Sequence, residues 1–208
     1  MDEITQSDEP EGHVDPDGYR ILDAGALRAL AHPLRVQIYD ILSQYGPQTA
    51  SSLANLTGES SGATSYHLRA LAKHDLIREV DGRGTARERW WERPVGGVSF
   101  ANPEAMKTPS GRAATQVVMT EFFNRRHQQL MQYITRGLQA EPDSWQEGSM
   151  ISTATARLTP EQTHDLSRKV QALLDETVEK YRDQQGDDVR PVSMRADIFP
   201  LPEEGHLK

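Results

Sequence analysis

The sequence predicts a mainly α-helical protein with a small β component. Apolar residues recur at three- and four-residue spacing through most of the chain, which is typical of helices, and an alternating segment surrounds one glycine-rich turn. None of the 208 residues is cysteine, so the chain has no disulfide and no thiolate metal site. We therefore expect an N-terminal helical domain with a hairpin, followed by an α+β region with long helices.

Charge is distributed unevenly along the chain. The 23 basic and 31 acidic residues give a net charge of −8, which argues against attraction of the whole protein to polyanions. Residues 1–18 contain seven acidic and no basic residues, which predicts a solvated, disordered tail. Residues 27–93 contain nine basic and seven acidic residues. This segment is therefore locally basic within an acidic protein.

Four helices are predicted in the first half of the chain, each with a residue that favours a helix start. Asp23, Thr49 and either Ser60 or Ser61 are suitable N-caps for the first, third and fourth helices, because their side-chain oxygens can accept backbone N–H groups. Pro33 occupies a first helical position and starts the second helix. Glycines at positions 46 and 58 end the second and third helices.

A β-hairpin follows the fourth helix. Residues 77–81 and 87–92 change to a period of about two, and the turn GRGTA lies between them. The order helix, helix, short helix, helix and hairpin predicts a winged helix-turn-helix domain over residues 19–93. Arg83 and Arg87 bracket the tip of the hairpin, whereas the other hairpin arginines are equally compatible with a solvated face.

The fourth helix, over residues 61–75, has two different sides. The side with Leu68 and Leu71 packs, and His67 beside them is interpreted as a structural histidine. The opposite side combines small and hydroxyl side chains with basic residues. Such a side suits the major groove of DNA, because small residues allow close approach, hydroxyls bond base edges and cations bind phosphates. The predicted DNA-binding residues are Gly62, Ser65, Tyr66, Arg69, Lys73, Arg83 and Arg87.

Two stretches of this region, LRALAHPLRVQIYDIL and TASSLANLTGESSGATSYHLRALAKHDLI, resemble the ArsR-type winged-helix transcriptional regulators. The resemblance covers residues 20–93 and is closest to actinobacterial-like members without a metal site. It implies that the fourth helix enters the major groove and that the hairpin tip touches the minor groove or the backbone. It also implies a homodimer on a near-palindromic operator, with a small-molecule or protein effector that changes DNA affinity.

Metal binding and catalysis are not expected. The Cys-x-Cys pair of metal-sensing relatives is missing, and no two histidines are three or four residues apart, although ligands from different helices or subunits stay possible. No nucleophile elbow and no phosphate-binding glycine loop is present, so we expect no enzyme and no cofactor.

The second half of the chain is assigned to dimerisation and to a possible effector site, over residues 112–208. Residues 94–111 are rich in Pro, Gly, Asn and Ser and predict a linker. A long helix follows to about residue 140, and Thr159 with Pro160 starts another helix. Alternation predicts strands at 151–158 and 191–199.

The interpretation is a sequence-specific DNA-binding transcription regulator, with repression as the expected direction, that binds double-stranded DNA. No apolar run is long enough to span a membrane, and the acidic start is unlike a signal peptide, so a cytoplasmic protein is expected. One alternative stays open. The exposed helix face and the hairpin could contact another protein instead, with the acidic tail as a docking segment.

Overall fold

The computed structural model describes residues 14–15, 18–85, 88–100 and 102–202. The chain divides into two compact units, Met1–Glu141 and Pro142–Lys208. Helices dominate both units, and the strands are few and short, which confirms the predicted fold class. The predicted acidic tail lies outside the described residues except at positions 14, 15 and 18.

The first unit begins with four helices: α1 (Ala24–Leu30), α2 (Pro33–Tyr45), α3 (Ala50–Thr57) and α4 (Ser61–Ala72). Side chains cap all four N-termini, as local sequence predicts for three of them. The fourth cap, on α2, is the imidazole of His32, which accepts the backbone N–H of Leu34 at 3.2 Å. Because these caps satisfy backbone donors with nearby side chains, the helix starts are fixed locally.

A three-stranded antiparallel sheet completes the winged helix-turn-helix. Strand β4 (Glu88–Glu92) lies between β2 (Gln48–Thr49) and β3 (Arg78–Thr85). Thr49 pairs with Trp90, so the start of α3 is attached directly to the hairpin. The β3–β4 hairpin was predicted, but β2 was not, because two residues are too few to show alternation.

The core of the first unit lies between the four helices and the base of the hairpin. Its fully buried side chains are mostly leucines from different helices, including Leu27, Leu30, Leu53, Leu68 and Leu71. Burial of each such side chain contributes about 2 kcal/mol. The core therefore fixes the position of α4 relative to α1, α2 and α3.

Residues 94–111 are not a linker, and that prediction is wrong. Strand β5 (Val98–Ser99) pairs in parallel with β1 (Arg20–Ile21), and α5 (Pro103–Met106) follows. The side chain of Asn102 caps α5 and also donates to the backbone oxygen of Leu22 at 2.8 Å. The Pro and Asn residues that suggested a linker serve here as helix-start residues.

The long helix predicted before residue 140 is α6 (Pro109–Gln132), which continues through a π-helical turn (Tyr133–Gly137) into α7 (Leu138–Ala140). Its first half enters the core, where Ala114 and Val118 are buried. Farther along, Arg125 binds Asp40 of α2 at 3.1 Å. These contacts attach α6 to the helix-turn-helix.

The second unit contains α8 (Asp143–Glu147) and α9 (Pro160–Tyr181). Thr159 and Gln162 form the predicted capping box at the start of α9. The predicted strands at 151–158 and 191–199 are wrong, since neither segment forms a β-ladder. Alternation indicates a strand only where one face is buried, and both segments leave nearly every side chain exposed. No helix among the described residues could span a membrane.

Two leucines of α3 allow a test of this core. Leu53 is fully buried, whereas Leu56, one turn later, is 55% exposed. We expect Leu53→Ala to lower the free energy of unfolding by about 3 kcal/mol, because it removes core contacts and leaves a cavity. The matched control Leu56→Ala is expected to cost less than about 1 kcal/mol in the same urea titration. Equal losses would contradict this arrangement of α3.

Candidate nucleic-acid interface

Helix α4 is held against α3 by a buried hydroxyl. The side chain of Thr64 is fully buried and donates to the backbone oxygen of Ala50, the first residue of α3, at 2.8 Å. Leu68 and Leu71 lie on the same side of α4 and are also fully buried. The Thr64 hydroxyl also lies 3.0 Å from the backbone oxygen of Ser61 within α4, so the buried leucines, together with the contact to Ala50, fix how α4 is rotated.

The opposite side of α4 faces outward, with the residue types that the sequence indicated. Gly62, Arg69 and Lys73 are exposed, Ser65 is half-buried, and Tyr66 is 66% exposed. A Cβ atom on Gly62 would meet only the Ser60 hydroxyl at 3.9 Å. The packing of the protein therefore does not require glycine at this position, and its small size leaves room for something outside.

A cleft of about 390 Å³ lies between the start of α3, the outward side of α4 and strand β4. Ser51 of α3, Ser65 and Arg69 of α4, and Glu88 and Arg89 of β4 line it. The side chains of Ser51, Ser65, Arg69 and Arg89 are thus gathered around one depression together with the carboxylate of Glu88. The structure brings together Ser65 and Arg69, which the sequence had proposed as neighbours on one helix face.

The arginines of the hairpin differ in their partners. Arg78 pairs with Glu92 at 2.8 Å at the base of the hairpin, and Arg89, nearer the turn, pairs with Glu79 across the strands at 3.3 Å. These exposed pairs neutralise charge and contribute at most about 1 kcal/mol each to stability. Among the described residues, Arg69 and Lys73 of α4 form no ion pair. Positive charge without a carboxylate partner is therefore found on α4.

Gly82 and Gly84 lie within β3, where its pairing with β4 shifts register, and not in a turn between the strands as the sequence predicts. Gly82 and Gly84 have φ angles of 69° and 106°, and a Cβ atom on Gly84 would lie 2.2 Å from the backbone oxygen of Glu88. The guanidinium of Arg83 lies 3.7 Å from the ring centroid of Trp90, a cation–π contact that directs it along the hairpin. The predicted tip residue Arg87 lies outside the described residues.

A basic cluster between α2 and α4 was not predicted as a unit. The rings of His32 and His67 lie 4.6 Å apart, and Tyr66 packs edge-on against His67 at 5.2 Å. Both Nε of Arg35 and Nδ1 of His67 are buried without a hydrogen-bond partner among the described residues. His67 does pack, as interpreted from sequence, and its neighbours are His32, the N-cap of α2, and Arg35 of α2.

These neighbours change the proton affinity of His67. Burial, then the nearby His32 and Arg35, lower the pKa of His67, while Glu59 opposes them. Burial also lowers the pKa of Arg35, although a guanidinium stays charged at neutral pH. The lowered pKa favours the neutral form of His67 at neutral pH. Among the described residues, no three His, Asp or Glu side chains are placed to hold a metal ion.

Comparison with known proteins gives one domain assignment. Residues 30–80 match the model of a family described as a helix-turn-helix domain. The match covers α2, α3 and α4 and ends within β3. Helix-turn-helix domains as a class place their second helix in the major groove of DNA. The fold and this match support a DNA-binding transcription regulator as the class of protein.

Over most of the chain, the similarity to known proteins is low. No curated protein is significantly similar in sequence. The adhesin competence repressor AdcR from Streptococcus pyogenes is 15% identical, with a TM-score of 0.31, over 69% of this chain and 80% of its own. RV1404 from Mycobacterium tuberculosis is 19% identical, with a TM-score of 0.28, over 73% of this chain and 82% of its own. At these TM-scores, neither likeness bears on fold or function.

The lowered pKa of His67 gives a testable pH dependence of stability. The unfolded chain binds the proton more tightly than the folded protein does. Neutral His67 therefore makes its full contribution to the free energy of unfolding above about pH 6.5. This contribution is lost as the pH falls below that value, because protons bind preferentially to the unfolded chain. We expect His67→Gln to reduce the loss of unfolding free energy between about pH 7.5 and pH 5.5, measured by urea titration.

The control for this test is His164→Gln, on exposed α9, which removes an imidazole far along the chain from the α2–α4 contact. This control should keep the pH dependence of the unmodified protein. If His67→Gln also kept it, the neutral state of His67 would not contribute to stability.

Proposed function

We propose that this protein is an ArsR-type transcription regulator that binds a near-palindromic operator as a homodimer and represses transcription. Residues 19–93 are proposed as the DNA-binding domain, and residues 112–208 supply dimer contacts. The observation that carries the proposal is the two-sided character of α4. Its packed side is fixed by Thr64, Leu68 and Leu71, so its outward side is presented as one rigid surface.

The proposed roles of the α4 residues follow from their placement. Gly62 is exposed at the first turn with open space around it, which suits close approach of the helix to DNA. Ser65 and Tyr66 come one turn later and can reach base edges with their hydroxyls. Arg69 and Lys73 are exposed at the far end of the helix, without carboxylate partners, and bind phosphates.

The hairpin is proposed to contact the DNA backbone or the minor groove. Arg83 lies beside the tip, and its contact with Trp90 orients the guanidinium without neutralising it. Arg87 is assigned the same role from its position in the sequence. Arg78 and Arg89 are excluded from this set because Glu92 and Glu79 already pair with them. The proposed contacts therefore use cations that need no internal ion pair to be broken.

Dimerisation would place two α4 helices about 34 Å apart, one turn of DNA. Binding of a small molecule or a protein to the C-terminal region would then alter DNA affinity by changing this separation. The cost of such a change is set by how firmly α6 is attached to the helix-turn-helix. The Arg125–Asp40 pair, with both side chains mostly buried, belongs to this attachment.

A second function has two observations in its favour. The net charge of −8 and the 66% exposure of Tyr66 would also suit a protein-binding surface on α4. Selection of bound sequences from a random DNA duplex pool, at about physiological salt, separates the two functions. We expect an enriched palindrome with half-sites near one turn apart. A folded protein that enriches no sequence would favour the protein-binding function.

The roles of Arg69 and Ser65 differ in a measurable way. Arg69→Ala should weaken binding to all DNA sequences by about tenfold and reduce the slope of log affinity against log salt by about one, because one phosphate contact is lost. Ser65→Ala should instead change the order of preference among half-site variants. Fluorescence anisotropy with labelled duplexes over a salt series measures both effects.

Arg78→Ala is the matched control for Arg69→Ala, because Arg78 is also exposed but is paired with Glu92. We expect it to change affinity by less than about threefold. Identical, sequence-independent losses for Ser65→Ala and Arg69→Ala would remove the assignment of Ser65 to base contacts.

A further inference from the structure

The second unit lacks a core of its own. None of its described residues, 142–202, is buried. Large apolar side chains along it are strongly exposed, among them Met150 at 85%, Leu173 at 64% and Phe199 at 66%. A segment of this size must bury much of its apolar surface to be stable, and a large exposed apolar surface marks an interaction site. The described residues of this unit therefore need a covering partner.

Helix α9 carries a seam of three apolar residues and one threonine with the spacing of a paired helix. Leu166, Val170, Leu173 and Thr177 follow one another at intervals of four, three and four residues. Intervals of three and four repeat the a and d positions of a coiled coil, which bring side chains to one line along a helix. Leu166 is 41% exposed and Leu173 is 64% exposed, so the seam is available to another helix.

The charges beside this seam identify the partner. Lys169 and Glu176 lie on the same flank, seven residues apart, and occupy equivalent positions of successive repeats. In an antiparallel pair of two identical α9 helices, Val170 faces Leu173 of the partner subunit. Lys169 then lies beside Glu176 of the partner subunit, and the two-fold axis repeats the pair. The seam is thus complementary in charge to a second copy of itself.

A parallel pair does not have this complementarity. There each flank position faces a residue five positions later in the other copy, so Lys169 would lie beside Leu174 of the partner subunit. Glu176 would likewise lie beside Tyr181 of the partner subunit. Neither charge would meet its opposite. The sequence of α9 therefore favours the antiparallel arrangement.

We propose that α9 is a self-association helix, which pairs antiparallel with α9 of a second copy of this chain through Leu166, Val170, Leu173 and Thr177. The proposal rests on the homodimer of the proposed function and names one surface that forms it. Two Lys169–Glu176 pairs across the two-fold axis set the direction and register of the helices.

The test is the dimer dissociation constant, measured on the full chain by sedimentation equilibrium. Lys169→Glu places a carboxylate opposite Glu176 of the partner subunit at both of the proposed pairs. We expect this repulsion to weaken association by about tenfold. Arg168→Glu is the matched control. Arg168 and Lys169 both bind Asp165, at 3.0 and 2.7 Å, so both substitutions lose one ion pair within the helix. Only Lys169 borders the seam, and Arg168→Glu should change association less than about twofold.

The double variant Lys169→Glu with Glu176→Lys reverses both charges and restores the proposed pair. It should bring the dissociation constant back to within about threefold of the unmodified protein. Equal effects of Lys169→Glu and Arg168→Glu would overturn the proposal. So would a double variant that associates more weakly than either single variant, or an unmodified protein that is monomeric at all concentrations.

The antiparallel direction of the two α9 helices is tested by disulfide formation between introduced cysteines, since the chain contains no cysteine of its own. Val170→Cys and Leu173→Cys variants, one carrying an added mass tag, are mixed and oxidised gently. The antiparallel pair predicts disulfides between the two different variants, because each position faces the other. Disulfides that join only identical variants would overturn the antiparallel arrangement.

These measurements contain no DNA, so the two proposals can fail separately. A dimer that selects a palindromic operator but is insensitive to Lys169→Glu would reject the pairing of α9 and leave the regulator. A dimer weakened by Lys169→Glu that enriches no DNA sequence would reject the operator function and leave the pairing of α9.

Discussion

The position of α4 depends on the buried contact of its inward side with the rest of the core, in which the Thr64 hydroxyl lies 2.8 Å from the backbone oxygen of Ala50. Thr64 is the fourth residue of α4 and Ala50 is the first residue of α3, and the fully buried Leu68 and Leu71 lie on the same side of α4. Other rotations of α4 are disfavoured because they would expose these two leucines to water. Everything on the outward side of α4 is positioned by this constraint on its inward side.

The distribution of ion pairs gives the outward surface its character. Arginines at the base of the hairpin are neutralised across the strands, while the cations of α4 have no such partners among the described residues. A protein with net charge −8 can present local positive charge only where carboxylates are kept away. The resulting surface is small, so affinity for DNA would depend on two copies acting together. This requirement is the reason that the proposed operator binding needs a dimer.

The two units are stabilised in different ways. Residues up to 141 form a core in which leucines from several helices are fully buried, and this core accounts for the stability of the helix-turn-helix. The described part of the second unit buries no side chain, yet α9 begins with a complete capping box. Capping contributes only about 1 kcal/mol and cannot replace a core. The apolar seam of α9 is the feature through which association can supply the missing burial.

Sequence by itself determined the features that arise from near neighbours. The caps at Asp23, Thr49 and Thr159 and the two sides of α4 were all predicted, because each depends on residues within one or two helical turns. The exposed residues of α4 were predicted for the same reason. Their contacts with DNA stay a prediction.

Only the tertiary structure decided the features that join distant parts of the chain. The pairing of β2 with β4, the strand and helix between residues 94 and 111, and the cluster of His32, Arg35 and His67 require residues far apart in sequence. Alternation at 151–158 and 191–199 predicted strands that do not form, because a strand needs a paired neighbour and a buried face. Local pattern specifies which helices can form. Burial and pairing decide which segments meet, because those free energies exist only once distant residues are in contact.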